Sequence, residues 1–397
     1  MRINILFILL AISMIGRSQQ PLTSQMIEES AFRFSLNAEN QLEGEAREKW
    51  LNWVGDNQYV GLAEVHNSAQ LSFFTKALLN VLDEKGFEHF AIEMGPNSAG
   101  ILQEITENSD ETLNGIKELN RKYGKKGQSK TPMIFANKIE DAVFVEEAAR
   151  LGFTFWGLDQ EFAYSHEMLI DHLHANSGLQ NEAYKQAYQE AKSTIKKVIY
   201  KNKYKGQYID CWYPESKALN HFFSFLEDST SQKIISDLKT SWDIYCKSAT
   251  GQGSNQQRAD YMKQNFEKYL DQHGPKSKVF LKLGGIHLTH GLSHFRVNDM
   301  GKFLTEKAAS NNTELLNIRH LITYRNGKSN VGKAAWKNTS LFLEVGSKDQ
   351  WTVVDLRPLR EKLQRGEITT TKSYAFELMS YDLLLISPDD QYPKVNY

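Results

Sequence analysis

With 397 residues, 41% of them hydrophobic and 24% charged, the chain carries enough apolar side chain for a large core of its own; one big domain, or one domain with an insertion, is expected. A formal net charge of -1 and a pI near 6.8 give no broad positive field to gather a polyanion, which excludes nucleic acid as an expected partner. Two cysteines, Cys211 and Cys246, make no disulfide framework; an exported compartment would permit pairing, but the sequence reading prefers two separate buried thiols.

The N-terminus has a basic residue at Arg2, an apolar run from Ile3 to Ile15 and then small and polar residues. This is the pattern of a secretory signal peptide over residues 1–18, with cleavage expected near Ser18. The run is too short to span a bilayer comfortably, and no later stretch reaches the length of a membrane helix. The mature protein is therefore expected to be exported, to the periplasm or the medium, with no transmembrane anchor. Without repeats, low-complexity tracts or Pro-rich linkers, residues 19–397 read as a single domain.

Short apolar runs alternate with longer amphipathic ones through the first half, which predicts an α/β fold: a mainly parallel central sheet flanked by helices. The run Tyr59 to Ala63 leads into Glu64-Val65-His66, and a helix follows from about Ser68 to Lys85, with Leu71, Phe74, Leu78 and Leu82 on one face. Asn67 or Ser68 is placed to cap its start and Gly86 to end it. A second strand, His89 to Ile92, ends on Glu93. The polar stretch around Arg121 to Lys130 reads as a loop, a helix follows from about Asn137 to Arg150, and a third strand, Phe153 to Leu158, ends on Asp159.

From about residue 164 to 270 the rhythm gives way to long helical patterns, and an inserted helical cap is expected there. Tyr184, Ala187, Tyr188, Ala191, Ile195, Val198 and Ile199 keep helical spacing and read as a packing stripe. Lys192, Lys196, Lys197, Lys201, Lys203 and Lys205 on the same helix and its tail read as a solvated face. Tyr184, Tyr188 and Trp212 read as core residues, with the substrate entrance as the other option. His166, His172 and His174 read as surface polar residues of the cap, since His172 and His174 point away from each other on a helix. The sheet resumes with Val279 to Leu283, leading into Gly284-Gly285-Ile286-His287, and later runs from Trp351 to Leu356 and Tyr381 to Ile386 read as further strands.

Four strand ends thus carry Glu64 with His66, Glu93, Asp159 and His287. In open α/β sheets ligands bind beyond the carboxyl ends of the strands. A carboxylate directly after a buried strand needs a cation, a donor or an open cleft. If Glu64 continues the strand it shares a face with His66, and a carboxylate beside an imidazole fixes its tautomer and raises its basicity. That arrangement suits a general base acting on water, with His287 as a second acid, base or electrophile. The same atoms, Glu64, His66, Glu93 and His287, could instead hold a divalent metal such as Zn or Mn, although no helical ligand pair fixes one. Cofactor dependence stays open. No Gly-x-Ser-x-Gly elbow, Gly-rich phosphate loop or dinucleotide fingerprint is present.

At these residues the sequence resembles the superfamily that joins erythromycin esterases, ChaN-type haem-binding proteins and the TraB/Tiki proteins. Gly61-Leu62-Ala63-Glu64-Val65-His66 resembles its first Gly-Glu-x-His motif and Phe90-Ala91-Ile92-Glu93 its second acidic strand end. Gly157-Leu158-Asp159-Gln160 and Gly284-Gly285-Ile286-His287 are similar to the next two. Arg258-Ala259-Asp260-Tyr261-Met262 with Asn265, and Met300-Gly301-Lys302-Phe303-Leu304, resemble helices of the esterase branch. Ala63 departs from the motif Gly, Glu64 lies two residues before His66 where many esterases have three, and Gly284 replaces the first His of their His-Asn-x-His.

The resemblance implies an exported hydrolase of an ester, lactone or related acyl bond. His66 would activate water with Glu64 and Glu93 in support, His287 would take the second histidine position, and Asp159 would stand nearby. It equally leaves open a haem- or metal-binding protein without turnover, as in ChaN, or a metal-dependent peptidase, as in Tiki. The substrate would be a small molecule or a peptide.

Overall fold

A computed structural model of the chain describes residues 19–108, 112–125 and 130–395. The expected signal peptide lies outside the described residues. Among them, no helix is long and apolar enough to cross a membrane.

Eight strands form the central sheet: β1 (Ala31–Phe34), β2 (Tyr59–Glu64), β3 (His89–Ile92), β4 (Thr154–Gly157), β5 (Val279–Gly284), β6 (Leu315–Ile322), β7 (Trp351–Asp355) and β8 (Leu383–Ser387). Their order across the sheet is β1-β7-β8-β6-β2-β5-β3-β4. From β8 to β4 every neighbouring pair is parallel, and β7 alone runs against both of its neighbours. The mainly parallel sheet of an α/β fold is thus present, and both of its faces are covered.

Side-chain alternation along each strand divides the core in two. Val60, Leu62, Phe90, Phe280 and Ile318 pack on one face with α1 (Ala69–Glu84), which buries Leu71, Phe74, Leu78 and Leu82. Tyr59, Ala63, Ala91, Leu281 and Leu283 pack on the other. Ser68 caps α1 by accepting from the Leu71 N–H, and Gly86 follows its end with a φ of 75°, a left-handed conformation that glycine adopts without strain.

Two strands of the central sheet escaped the sequence reading. Leu315–Ile322 (β6) sits beside β2 at the centre of the sheet, but Asn317, Arg319 and His320 interrupt its apolar run. Asn317 is nonetheless fully buried, because its side-chain amide donates to the Leu288 carbonyl and its backbone N–H to Asp382 Oδ2 at 2.8 Å. Ala31–Phe34 (β1) is a short edge strand. The expected loop over Arg121 to Lys130 is corrected only at its start: a helix spans Thr112–Tyr123, burying Ile116 and Asn120 and carrying Arg121 and Lys122 in its last turn, where cations complement the helix dipole; Gly124, Lys125 and Lys130 are non-helical, and residues 126–129 lie outside the described residues.

Helix α2 (Pro96–Asn108) follows β3, and α3 (Ile139–Arg150) packs on α1 before β4. Between β4 and β5 come α4 (His166–Asn176), α5 (Glu182–Val198), α6 (Lys217–Phe223), α7 (Ser229–Ala249) and α8 (Asn255–His273), interrupted by a two-residue ribbon at Lys203–Tyr204 and Gln207–Tyr208. Helix α8 lies on the sheet, with Phe266 against Tyr59 and Trp156. The α5 stripe from Tyr184 to Val198 is buried, while Lys192 and Lys196 pair with Asp171 and Glu167. His166 is not a surface residue as expected. It is fully buried against Tyr213 and Trp242, and burial pushes its pKa down to about 3.

The cysteines are also corrected: Cys211 and Cys246 form a disulfide. The short helix Ile209–Trp212 packs against α7 and brings the two Cα atoms to 4.8 Å, within bridging range. The crosslink closes a segment with a sequence separation of 35. Replacing both cysteines by alanine is expected to destabilise the protein by about 3 to 4 kcal/mol, chiefly by freeing the unfolded chain. A denaturant melt checks this, and a midpoint equal to that of the unaltered protein would contradict it.

Candidate active site

Glu64 ends β2 with its side chain buried on the α1 face of the sheet, two residues after Leu62. Its Oε1 lies 2.8 Å from His66 Nδ1, and its Oε2 accepts from the Lys282 ammonium on neighbouring β5. Although burial pushes the Glu64 carboxyl up, Lys282 and His66 hold it far below the usual carboxylate range. The carboxylate fixes the imidazole tautomer, since Nδ1–H donates to it and Nε2 keeps its lone pair. Burial works against the imidazolium of His66, but Glu64 and then Glu93 raise its pKa overall.

Glu93 follows β3. Its Oε2 accepts from the Gly284 N–H at the end of β5, and its Oε1 accepts from Arg258 Nη2 at 2.8 Å. Arg258, from the first turns of α8, also grips Asp159 beyond β4, with Nε 2.8 Å from Oδ1 and Nη2 2.5 Å from Oδ2. One guanidinium therefore ties two strand-end carboxylates to a helix of the segment between β4 and β5. His287 stands behind Glu93: its Nε2 is 3.6 Å from Oε1, and its Nδ1 is 2.9 Å from Asp299 Oδ2. Burial opposes protonation of His287, but Asp299 and Glu93 raise its pKa overall.

These groups border a cavity of about 390 Å³. Glu64, His66, Glu93 and Asp159 line it; His287 does not, being buried behind Glu93. The His66 side chain is 44% exposed, far more than the carboxylates around it, so it is open to a bound molecule. Phe135 lies 5.3 Å from its ring, and Phe162 and Tyr245 add apolar wall. Tyr184, Tyr188 and Trp212 are core residues and do not line this cavity.

Lys282, Arg258 and Asp141 also line the cavity, and the sequence reading gave them no role. Lys282 was detectable as a lysine inside an otherwise apolar strand run, a position that demands a buried counter-charge. Arg258 stood in a quoted motif without an assigned partner. Nothing in the sequence marked Asp141, in the first turn of α3.

Glu64, His66 and Glu93 each bring a ligand-type atom within 4.8 Å of one another, a grouping that does not include His287. The donor set nevertheless fits a metal poorly. Both oxygens of Glu64 are held by His66 and Lys282, and both of Glu93 by Arg258 and Gly284, so a divalent ion bound here would sit beside a lysine ammonium and an arginine guanidinium.

Gly284 has a steric reason to be glycine. It pairs in register with Glu64, and a Cβ there would lie 3.0 Å from His66 Nε2 and 3.1 Å from Glu93 Oε2. Gly284→Ala is expected to displace the imidazole and lower turnover by about tenfold to a hundredfold, the usual effect of a small misplacement of a reacting group. Steady-state kinetics on any hydrolysed ester would measure it, and full activity would show that the imidazole needs no such clearance.

No protein-family model matches the sequence, and no curated protein does. Solved structures do match over almost the whole chain. A succinoglycan biosynthesis protein is 16% identical with a TM-score of 0.59, covering 94% of this chain and 98% of its own. A Bacillus cereus protein is 13% identical with a TM-score of 0.55 over the same shares. A mutant of the erythromycin esterase EreC in its open conformation is 12% identical with a TM-score of 0.55, covering 91% of this chain and 97% of its own. At these identities the shared property is architecture, and the chain has the erythromycin esterase-like fold.

Proposed function

We propose that the protein is a hydrolase of an ester, lactone or related acyl bond, in which His66 Nε2 removes a proton from water. The observation that carries this reading is the Glu64 to His66 Nδ1 hydrogen bond beneath an exposed imidazole at the mouth of a cavity. It leaves Nε2 as the one basic nitrogen directed to a bound water. Glu93, fixed by Arg258 and Gly284, lies close enough to favour the imidazolium that forms, and His287, held by Asp299, stands behind it. Negative charge on the attacked carbonyl oxygen would meet the cations of the cavity wall, Arg258, Lys282 and Lys138. The fold shared with an erythromycin esterase supports acyl-bond hydrolysis and leaves the substrate open.

The same reading includes export. The apolar run from Ile3 to Ile15 supports a signal peptide, and the Cys211–Cys246 disulfide is compatible with an oxidising compartment.

The test is a panel of aryl and alkyl esters and lactones, assayed with and without excess chelator. Turnover of at least one class, unaffected by chelator, is expected. No hydrolysis anywhere on the panel, or activity lost to chelator and restored by Zn or Mn, would overturn the metal-free mechanism.

A further inference from the structure

We propose that Asp141 is the general acid of this site, giving a proton to the departing alcohol while His66 takes one from water; this rests on the hydrolase reading above. Four carboxyl groups line the cavity. Three are paired with cations: Glu64 with Lys282, and Glu93 and Asp159 with Arg258. Asp141 differs, because among the described residues it makes no ion pair. Its Oδ1 accepts a 2.7 Å hydrogen bond from Ser72 Oγ on α1, another residue of the cavity wall.

The charged groups that face Asp141 come from three directions. Lys282 on β5 is already engaged by Glu64, Glu64 itself faces it from β2, and Lys138 precedes α3. Burial pushes the Asp141 carboxyl up to about 6, against the pull of Lys282 and the Ser72 hydroxyl and with the help of Glu64. One cavity therefore holds carboxylates bound to cations and a carboxyl able to carry a proton near neutral pH, a division of labour that acid and base catalysis requires.

The chemistry balances. Water loses a proton to His66 Nε2 as its oxygen bonds to the acyl carbon. The tetrahedral adduct then expels the alcohol oxygen, which takes the Asp141 proton as the C–O bond breaks. The products are the carboxylic acid and the alcohol; the imidazolium proton returns to Asp141 through solvent, restoring both groups. An alkyl alcohol is too basic to leave without that proton, whereas a nitrophenol leaves readily as its anion.

The test compares an alkyl ester and a 4-nitrophenyl ester of the same acid, with the full-length unaltered protein and Asp141→Asn. The variant is expected to lose about a hundredfold or more on the alkyl ester relative to its loss on the nitrophenyl ester. The descending alkaline limb of the alkyl-ester pH profile should also disappear. An equal loss on both esters would make Asp141 merely a strut between α1 and α3 and overturn the proposal, as would no loss on either. If Asp141→Asn fails to fold, a leaving-group series on the unaltered protein decides. A shallow dependence on alcohol acidity supports proton donation, and a steep one excludes it. Failure of the unaltered protein to cleave either ester would instead remove the hydrolase reading, and the acid with it.

Discussion

Replacing His66 by alanine is expected to lower kcat/KM by about a hundredfold to ten-thousandfold, the range over which a positioned general base accelerates proton transfer. Folding should survive, with stability within about 0.5 kcal/mol of the unaltered protein, because His66 lies after the strand and nearly half of its side chain is exposed. Glu64 would keep Lys282 as its counter-ion, so no buried charge is stranded.

The pH profile sharpens the expectation. A base acts only when neutral, and the His66 pKa is raised by Glu64 and Glu93 against the effect of burial. On a nitrophenyl ester, whose leaving group needs no proton, the ascending limb of kcat/KM should therefore lie above the free-histidine value of about 6.5 and vanish in the alanine variant. A raised folded-state pKa also means that protonation of His66 favours folding, a contribution fully present below the unfolded value and lost as pH rises through the folded one. Kinetics from pH 5 to 9, paired with thermal melts, measure both. A variant that retains activity, or one that melts far earlier, would assign His66 a structural place instead.

The parts of this site that the sequence disclosed are those with a local signature. Glu64, Glu93 and Asp159 stand at the ends of apolar runs, so strand period and length fix both their depth and the sheet edge they reach. His66 lies beside Glu64 as expected, although the strand ends at Glu64 and a bend, not the two-residue repeat, brings the imidazole to it. What stayed hidden depends on contacts remote in sequence. Strand β6 reads as polar because the partners that satisfy Asn317 lie on the Leu288 carbonyl and on Asp382. Arg258 is 99 residues from Asp159 and 165 from Glu93 along the chain, and no periodicity announces such a pairing. His287 was placed at the right sheet edge, but its burial behind Glu93 is set by Asp299, which also caps the helix Met300–Ser310. The disulfide is of the same kind, since only the packing of two helices brings its cysteines together.

Arg258→Met is expected to be the most disruptive single change at the site. The guanidinium serves Glu93 and Asp159 together, and both carboxylates are over nine-tenths buried. Removing the cation while keeping similar volume leaves two neighbouring negative charges without their partner. Breaking a buried pair in this way costs about 3 to 5 kcal/mol, and the 23% exposure of Arg258 favours the lower end of that range. Turnover should collapse too, because Glu93 would lose one of the two donors that aim it at His66.

A second substitution separates charge from packing. Asp159→Asn in the Arg258→Met background removes one of the stranded charges and should recover a substantial part of the lost stability, whereas the same change in the unaltered protein should destabilise it by breaking a paired arrangement. That opposite sign is the signature of direct coupling in a double-mutant cycle. Arg258→Lys should fall between the two, since a single ammonium cannot reproduce a two-pronged grip on Asp159 together with a bond to Glu93. Additive effects across the cycle, or a cost below about 1 kcal/mol for Arg258→Met, would mean that water can replace the guanidinium. The segment between β4 and β5 would then not be fastened to the strand ends through this residue.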